Sequence, residues 1–351
     1  MQRVGDRCYE ERMYESAKML YSNIKNNAKI ASCLVRLGQY QQAIDSAKKA
    51  NSPKTWKELC FACVDAGEFR LAAASGLNII IHPDHLEEII QHYERKGFPE
   101  HMIELLQQGM QNERSHIGIY TELGQMYAKY QPERLMEHCV QYFSKINVSK
   151  LLRVCERYLL WPEAVYLYSH YDEFDNAINT IIEHSPTAFA HDQFLSLIMK
   201  VSNSDLYYKA INFYMEEQPI QINGLLKTLT NKLDLTRTVQ AMKRTGYLPL
   251  VLPFMKSVQA QNNQAINEAL NQIYLENEDH ESLRKSMVQY DNFDEAGIFL
   301  TPGLAKQTEN HQLSEMRRIA AYLYRKAQRY DKSIELSKKD KQYKDCVDTA
   351  A

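Results

Sequence analysis

The sequence predicts an all-α chain, an α-solenoid of stacked antiparallel helical hairpins, and three observations carry that reading. Turn-forming residues are scarce: 12 Gly and 10 Pro in 351 residues, about 6% where an average protein has roughly 12%. A short pattern recurs, an aromatic residue followed three positions later by a small one, at spacings near 29 residues. Strand signals are nearly absent, because no Asn-Gly or Asp-Gly turn joins alternating apolar runs.

Taken in order, the pattern reads Tyr14-Glu-Ser-Ala17, Tyr40-Gln-Gln-Ala43, Phe69-Arg-Leu-Ala72, Trp161-Pro-Glu-Ala164, Phe174-Asp-Asn-Ala177, Tyr207-Tyr-Lys-Ala210 and Phe293-Asp-Glu-Ala296. Tyr330-Asp-Lys-Ser333 and Tyr343-Lys-Asp-Cys346 are weaker copies, and Phe98-Pro-Glu-His101 lacks the small residue. Residues i and i+3 share a helix face. A bulky ring beside a flat alanine therefore lets a neighbouring helix approach while the ring fills the groove between hairpins. Gly38, Gly67 and Gly97 precede the aromatic by one or two residues, where a helix ends with φ > 0. Pro53, Pro132 and Pro162 sit where a first helical turn tolerates proline, and Asn223-Gly224 falls between two helical patterns. One hairpin cannot bury its own apolar face, so hairpins stack on their neighbours. The helical pattern continues through Val347–Ala351 with no polar capping unit, and the sequence is expected to be a piece of a longer array.

Charge and composition narrow the function. Lys+Arg total 42 against 44 Asp+Glu, so no net basic field is available for nucleic acid or an anionic membrane. The longest weakly polar run, Leu71 to Ile81, is far short of the ~20 residues that cross a bilayer. The N-terminus meets charge at Arg3 without an apolar signal core, so a cytoplasmic chain with no direct membrane insertion is expected. The seven cysteines sit in apolar helical stretches and read as reduced, buried thiols.

Chemistry-bearing motifs are few. There is no phosphate-binding glycine loop, nucleophile elbow or H-E-x-x-H helix, so no catalytic residue, metal ligand or cofactor is assigned. Cys60-Phe-Ala-Cys63 has zinc spacing but no second pair, and its thiols share one helix face. His82, His85 and His92 read as a surface turn, and Glu87-Glu88 and Asp172-Glu173 as solvated carboxylates. The 23 tyrosines follow the hairpin period without an Arg/Lys stripe, which favours packing over base stacking.

Longer runs point to a family. Gln2-Arg-Val-Gly-Asp-Arg7, Ala50-Asn-Ser52, Thr55 to Asp65, Glu68-Phe-Arg-Leu71, Ser257-Val258-Gln259, Asn262-Asn263, Tyr290-Asp-Asn-Phe-Asp294, Arg317 to Leu323 and Lys338-Lys-Asp340 together resemble the clathrin heavy chain. That resemblance implies a right-handed α-solenoid built of clathrin heavy-chain repeats, expected at residues 1–78 (the end of one repeat), 79–225 (a complete one) and 226–351 (most of the next). It implies a proximal-leg segment of the clathrin coat that gives rigidity, contacts legs of other heavy chains along cage edges and carries a clathrin light-chain helix. The β-propeller and trimerisation segment of the family lie outside this stretch.

Two light-chain contact positions follow by resemblance, Lys129 in Tyr127-Ala-Lys-Tyr-Gln-Pro132 and Gln218 in Met215-Glu-Glu-Gln-Pro219, the latter a lysine in the family. Gly297 to Gly303 departs from the family by about six extra residues, and Pro302-Gly303 predicts a bulged loop because it cannot continue a helix. The alternatives are a vacuolar-sorting tether subunit that shares the repeat, a tetratricopeptide-type scaffold, which the 29-residue spacing disfavours, and a helical hydrolase, which has no supporting constellation.

Overall fold

The structure, a computed structural model, describes residues 1–112, 116–293 and 304–350. Among these residues every regular element is helical and there is no strand. The predicted loop at Gly297–Gly303 lies outside the described residues. Two compact units divide the chain, Met1–Glu173 and Phe174–Ala351. No helix among the described residues is long and apolar enough to cross a membrane.

The first unit contains α1 (Gln2–Glu10), α2 (Tyr14–Asn23), α3 (Asn27–Arg36), α4 (Tyr40–Ala50), α5 (Pro53–Asp65), α6 (Phe69–Gly76), α7 (Pro83–Lys96), α8 (Pro99–Met110), α9 (Gly118–Tyr130), α10 (Leu135–Tyr142), α11 (Val148–Arg157) and α12 (Trp161–His170). Consecutive helices pair as hairpins, α3 with α4 and α5 with α6 for example. Odd-numbered helices also touch odd ones (α3–α5, α5–α7, α9–α11) and even touch even (α4–α6, α6–α8, α10–α12). This unit is therefore two layers of helices with the core between them. One continuous buried cluster runs from Ala31 to Leu167, so each hairpin completes the core of the one before it.

The second unit contains α13 (Phe174–Glu183), α14 (His191–Ile198), α15 (Ser204–Glu217), α16 (Ile222–Leu229), α17 (Leu235–Thr245), α18 (Leu252–Val258), α19 (Gln264–Glu276), α20 (His280–Gln289), α21 (Leu304–Thr308), α22 (Ser314–Lys326), α23 (Tyr330–Lys339) and α24 (Tyr343–Ala350). Here too alternate helices touch, α13 with α15, α16 with α18, α17 with α19 and α20 with α22.

The recurring pattern packs as the sequence predicts at its small position. Ala17, Ala43, Ala72, Ala164, Ala177 and Ala210 are all fully buried. The rings at Tyr14, Tyr40, Phe69, Trp161 and Phe174 open their helices and are half-buried. Phe69, for instance, meets Phe98 edge-on at 4.7 Å and stacks on His101 at 3.8 Å. Tyr330 and Tyr343 depart from this, since both rings are exposed.

One tight turn joins most hairpins. Gly38 has φ 72° and donates its N–H to Val35 O, and the N–H of Gln39 reaches back to Leu34 O at 2.9 Å. This pair of bonds satisfies carbonyls that the helix end would otherwise leave unpaired. Gly67, Gly97 and Gly246 repeat it. The positive φ expected at Gly38, Gly67 and Gly97 is present, and Arg12, Lys25, Leu159, Gln328 and Lys341 make the same turn without glycine, with φ between 54° and 63°. Other glycines lie inside helices instead. Gly224 is within α16, not between patterns, and a Cβ at Gly109 would stand 2.4 Å from Ile80 Cδ1 and 2.6 Å from Ile119 Cδ1. These glycines buy close helix approach. Pro132 also differs, opening a 3-10 turn, Pro132–Arg134, ahead of α10.

Candidate interaction surface

Lys129 lies in the last turn of α9. Leu123, Met126 and Tyr127 bury the inner face of that helix and so fix its axis, while the Lys129 side chain remains 39% exposed. The helix ends at Tyr130, Gln131 leaves the helical conformation (φ −143°, ψ 62°), and its N–H donates to Tyr127 O at 2.8 Å. Lys129 Nζ donates to Glu94 Oε1 of α7 at 2.9 Å, and Tyr130 Oη donates to the same oxygen at 3.0 Å. The ammonium also stands 5.0 Å from the Tyr130 ring centroid. Hydrogen bonding with Tyr130 and Glu94 holds the lysine well above its usual pKa, so it is a fixed positive charge. Its place at a helix C-terminus favours the same charge.

The second position belongs to the other unit. Gln218 caps α15, is half-buried, and donates its N–H to Tyr214 O at 3.0 Å. A 3-10 turn, Pro219–Gln221, leads into α16. The two turns are copies offset by 87 residues: Tyr120, Tyr127, Gln131 and Pro132 correspond to Tyr207, Tyr214, Gln218 and Pro219. Each inner tyrosine hydroxyl is tied to another helix, Tyr127 to Gln107 Nε2 at 2.7 Å and Tyr214 to His191 Nδ1 at 2.9 Å. In this register Gln218 occupies the place of Gln131, and the place of Lys129 is taken by Glu216. Lys129 and Gln218 are therefore different positions on the same kind of turn. Beside Gln218, the Ile220 side chain is 88% exposed.

Sequence reasoning missed a third feature. Between α15 and α17 runs a groove of about 290 Å³ lined by Tyr208, Asn212, Arg237, Gln240, Ala241, Arg244 and Thr245. The Arg237 guanidinium lies 3.9 Å from the Tyr208 ring centroid. Thr245 Oγ1 lies 3.3 Å from Met215 Sδ, which places the end of α17 against the last turn of α15. The Arg237, Ala241, Arg244 spacing was the available signal in the sequence.

The remaining chemical candidates have packing roles. Cys33, Cys60, Cys63, Cys139 and Cys155 are buried, and all seven cysteines are free thiols. Burial pushes the Cys60 thiol up to about 11 and those of Cys63 and Cys139 to about 12. His92 Nε2 meets Asp65 Oδ1 at 3.0 Å and its ring stacks on Phe61 at 4.1 Å. His85 Nδ1 stands 3.7 Å from Glu88, which itself accepts from Lys57 Nζ at 2.6 Å.

A family described as "Region in Clathrin and VPS" matches residues 1–71, 77–222 and 226–351. The chain is similar to clathrin heavy chain 1 of Oryza sativa subsp. japonica and to the clathrin heavy chain of Dictyostelium discoideum. Each is 52% identical over all 351 residues, which cover 20% of the relative. Clathrin heavy chain 2 of Homo sapiens is 48% identical over the same 351 residues, 21% of its length. The chain thus spans about a fifth of the length of these relatives. With the family matched along nearly the whole sequence and heavy chains alike at about half of all positions, the chain belongs to the clathrin family of helical repeats.

Proposed function

We propose that this chain is a proximal-leg segment of a clathrin heavy chain, a structural part of the coat of vesicles and coated pits that works by shape and side-on contact, without catalysis. The observation that carries this reading is identity of about half over all 351 residues to heavy chains of plant, slime mould and human. So long a match favours a heavy chain over a vacuolar-sorting tether. The two-layer stacking inside the first unit supports a rigid leg, because each hairpin's core is finished by its neighbours.

The partners proposed are a clathrin light chain and the legs of other heavy chains, on the cytoplasmic face of coated membranes. An acidic, amphipathic light-chain helix runs along the stack of hairpins, apolar burial supplies most of its affinity, and basic loops set its register. Lys129 supplies one such basic group, and Gln218 with Ile220 forms a second, uncharged contact. The repeat boundaries proposed are residues 1–78, 79–225 and 226–351, and the three matched stretches support them. Co-expression with the same organism's light chain tests the reading. The two copurify on it, whereas a folded chain that emerges alone speaks against it.

A further inference from the structure

A hollow of about 510 Å³ lies among α20, α22, α23 and α24 of the second unit, within the ~300–1,000 Å³ typical of small-molecule sites. α20 and α22 are each the second helix of a hairpin, α19–α20 and α21–α22, and so run the same way. On both, a carboxylate in the first turn is followed by a guanidinium that lines the same hollow: Glu281 then Arg284 on α20, Glu315 then Arg325 on α22. The helix dipole favours this order. Its result is a hollow with an acidic end and a basic end.

These charges are not spent on one another. Among the described residues none of Glu281, Arg284, Glu315 and Arg325 has an ion-pair partner within 4.0 Å, whereas Arg318 is taken by Asp345 at 2.7 Å. Lys344 and Asp348 of α24 add one charge of each sign. The floor carries a further unspent group. Ser337 of α23 is 2% exposed and its hydroxyl has no hydrogen-bond partner, while Ser333, one turn earlier, donates to Ala321 O at 2.7 Å. A buried hydroxyl without a partner costs stability that a ligand's polar group recovers. Val288, 67% exposed, gives one wall an apolar surface.

From this arrangement we infer that the hollow binds a short peptide with free termini. A plain anion meets Glu281 and Glu315, and a plain cation meets Arg284 and Arg325. A ligand with opposite charges at its two ends satisfies both pairs. The peptide's ammonium lies at the glutamates and its carboxylate at the arginines, while a peptide group between them pairs with Ser337 and a small side chain rests on Val288. Ten residues separate Glu315 from Arg325, a rise of about 15 Å, and four extended residues span about 13–14 Å. The length that fits is therefore about four residues.

The experiment titrates tetraalanine into the full chain by calorimetry, beside its N-acetylated form, its C-terminal amide and inorganic phosphate. Three variants accompany wild type: Glu281→Gln with Glu315→Gln, Arg284→Gln with Arg325→Gln, and Ser337→Ala. Circular dichroism and melting curves establish that each is folded. Free tetraalanine is expected to bind saturably, and each blocked form about tenfold more weakly. The first variant is expected to bind free and N-acetylated peptide alike, the second to bind acid and amide alike, and the third to bind every peptide a few-fold more weakly. No saturable binding by folded wild type overturns the inference. So does equal binding of free and blocked peptides, which needs no variant to read. Phosphate that binds as tightly as the free peptide identifies a plain anion site and overturns it too. None of these outcomes bears on light-chain binding, so the proposed function stands or falls separately.

Discussion

Lys129 of α9 and Glu94 of α7 are joined across 35 residues of sequence by a 2.9 Å ion pair, with the Tyr130 hydroxyl on the same carboxylate oxygen. Glu94 thus competes for Lys129 with any acidic partner. The pair is partly exposed, so its own worth is at most about 1 kcal/mol, small enough for a partner's carboxylate to displace it. Glu94→Gln is expected to leave the melting temperature nearly unchanged and to tighten light-chain binding a few-fold. Lys129→Ala weakens it by a similar factor. Binding isotherms for the two variants check this, and opposite directions are the expected signature.

Leu159 holds φ 59° in the turn before Trp161, with a side chain 67% exposed. A left-handed conformation costs a non-glycine residue about 1–2 kcal/mol, and the greater freedom of an unfolded glycine returns about 0.5–1 kcal/mol of that. Leu159→Gly therefore stabilises the fold by roughly 0.5–1 kcal/mol, read as a higher denaturation midpoint.

His138 is buried in α10, where its Nε2–H donates to Tyr120 O at 2.7 Å and its ring lies beside Tyr127 and Tyr142. Burial holds its imidazole below the usual 6.5, against the opposing backbone hydrogen bond. The folded state thus prefers the neutral ring, and the unfolded chain binds the proton first as pH falls. This contribution to stability is complete above pH 6.5 and is lost as pH drops below it toward the folded value. Urea midpoints between pH 7 and pH 5 are expected to fall for wild type and to fall less steeply for His138→Gln.

Thiol accessibility separates two classes of cysteine. Cys8 and Cys346 are half-buried, whereas the other five are buried, and burial pushes the Cys33 and Cys60 thiols to about 11. Only the thiolate alkylates readily. Mass spectrometry after brief iodoacetamide treatment at pH 8 is expected to find Cys8 and Cys346 modified in the folded chain, and all seven after denaturation.

Local features were the legible part of this fold. An aromatic at a helix start, a buried alanine three residues on and a glycine with positive φ are each a neighbour effect, so Tyr40, Ala43 and Gly38 could be placed from sequence. The turns at Arg12, Lys25 and Leu159 could not, because the packing of the joined helices imposes a conformation that their own residue types disfavour. The candidate surface was less legible still. Lys129 was reached by resemblance, but its partner Glu94 belongs to another hairpin, and the groove at Arg237 and Arg244 exists only once α15 and α17 lie side by side. Gln218 corresponds to Gln131 rather than to Lys129, because each follows the last turn of its helix.

Hydrogen–deuterium exchange of the folded chain, alone and saturated with its light chain, is the decisive measurement. A saturable complex is expected, in which protection rises along the turn at Lys129–Arg134 and at the turn around Gln218, with little change at the buried core. Absence of a complex at micromolar concentrations, or a complex that leaves both regions unprotected, would contradict it.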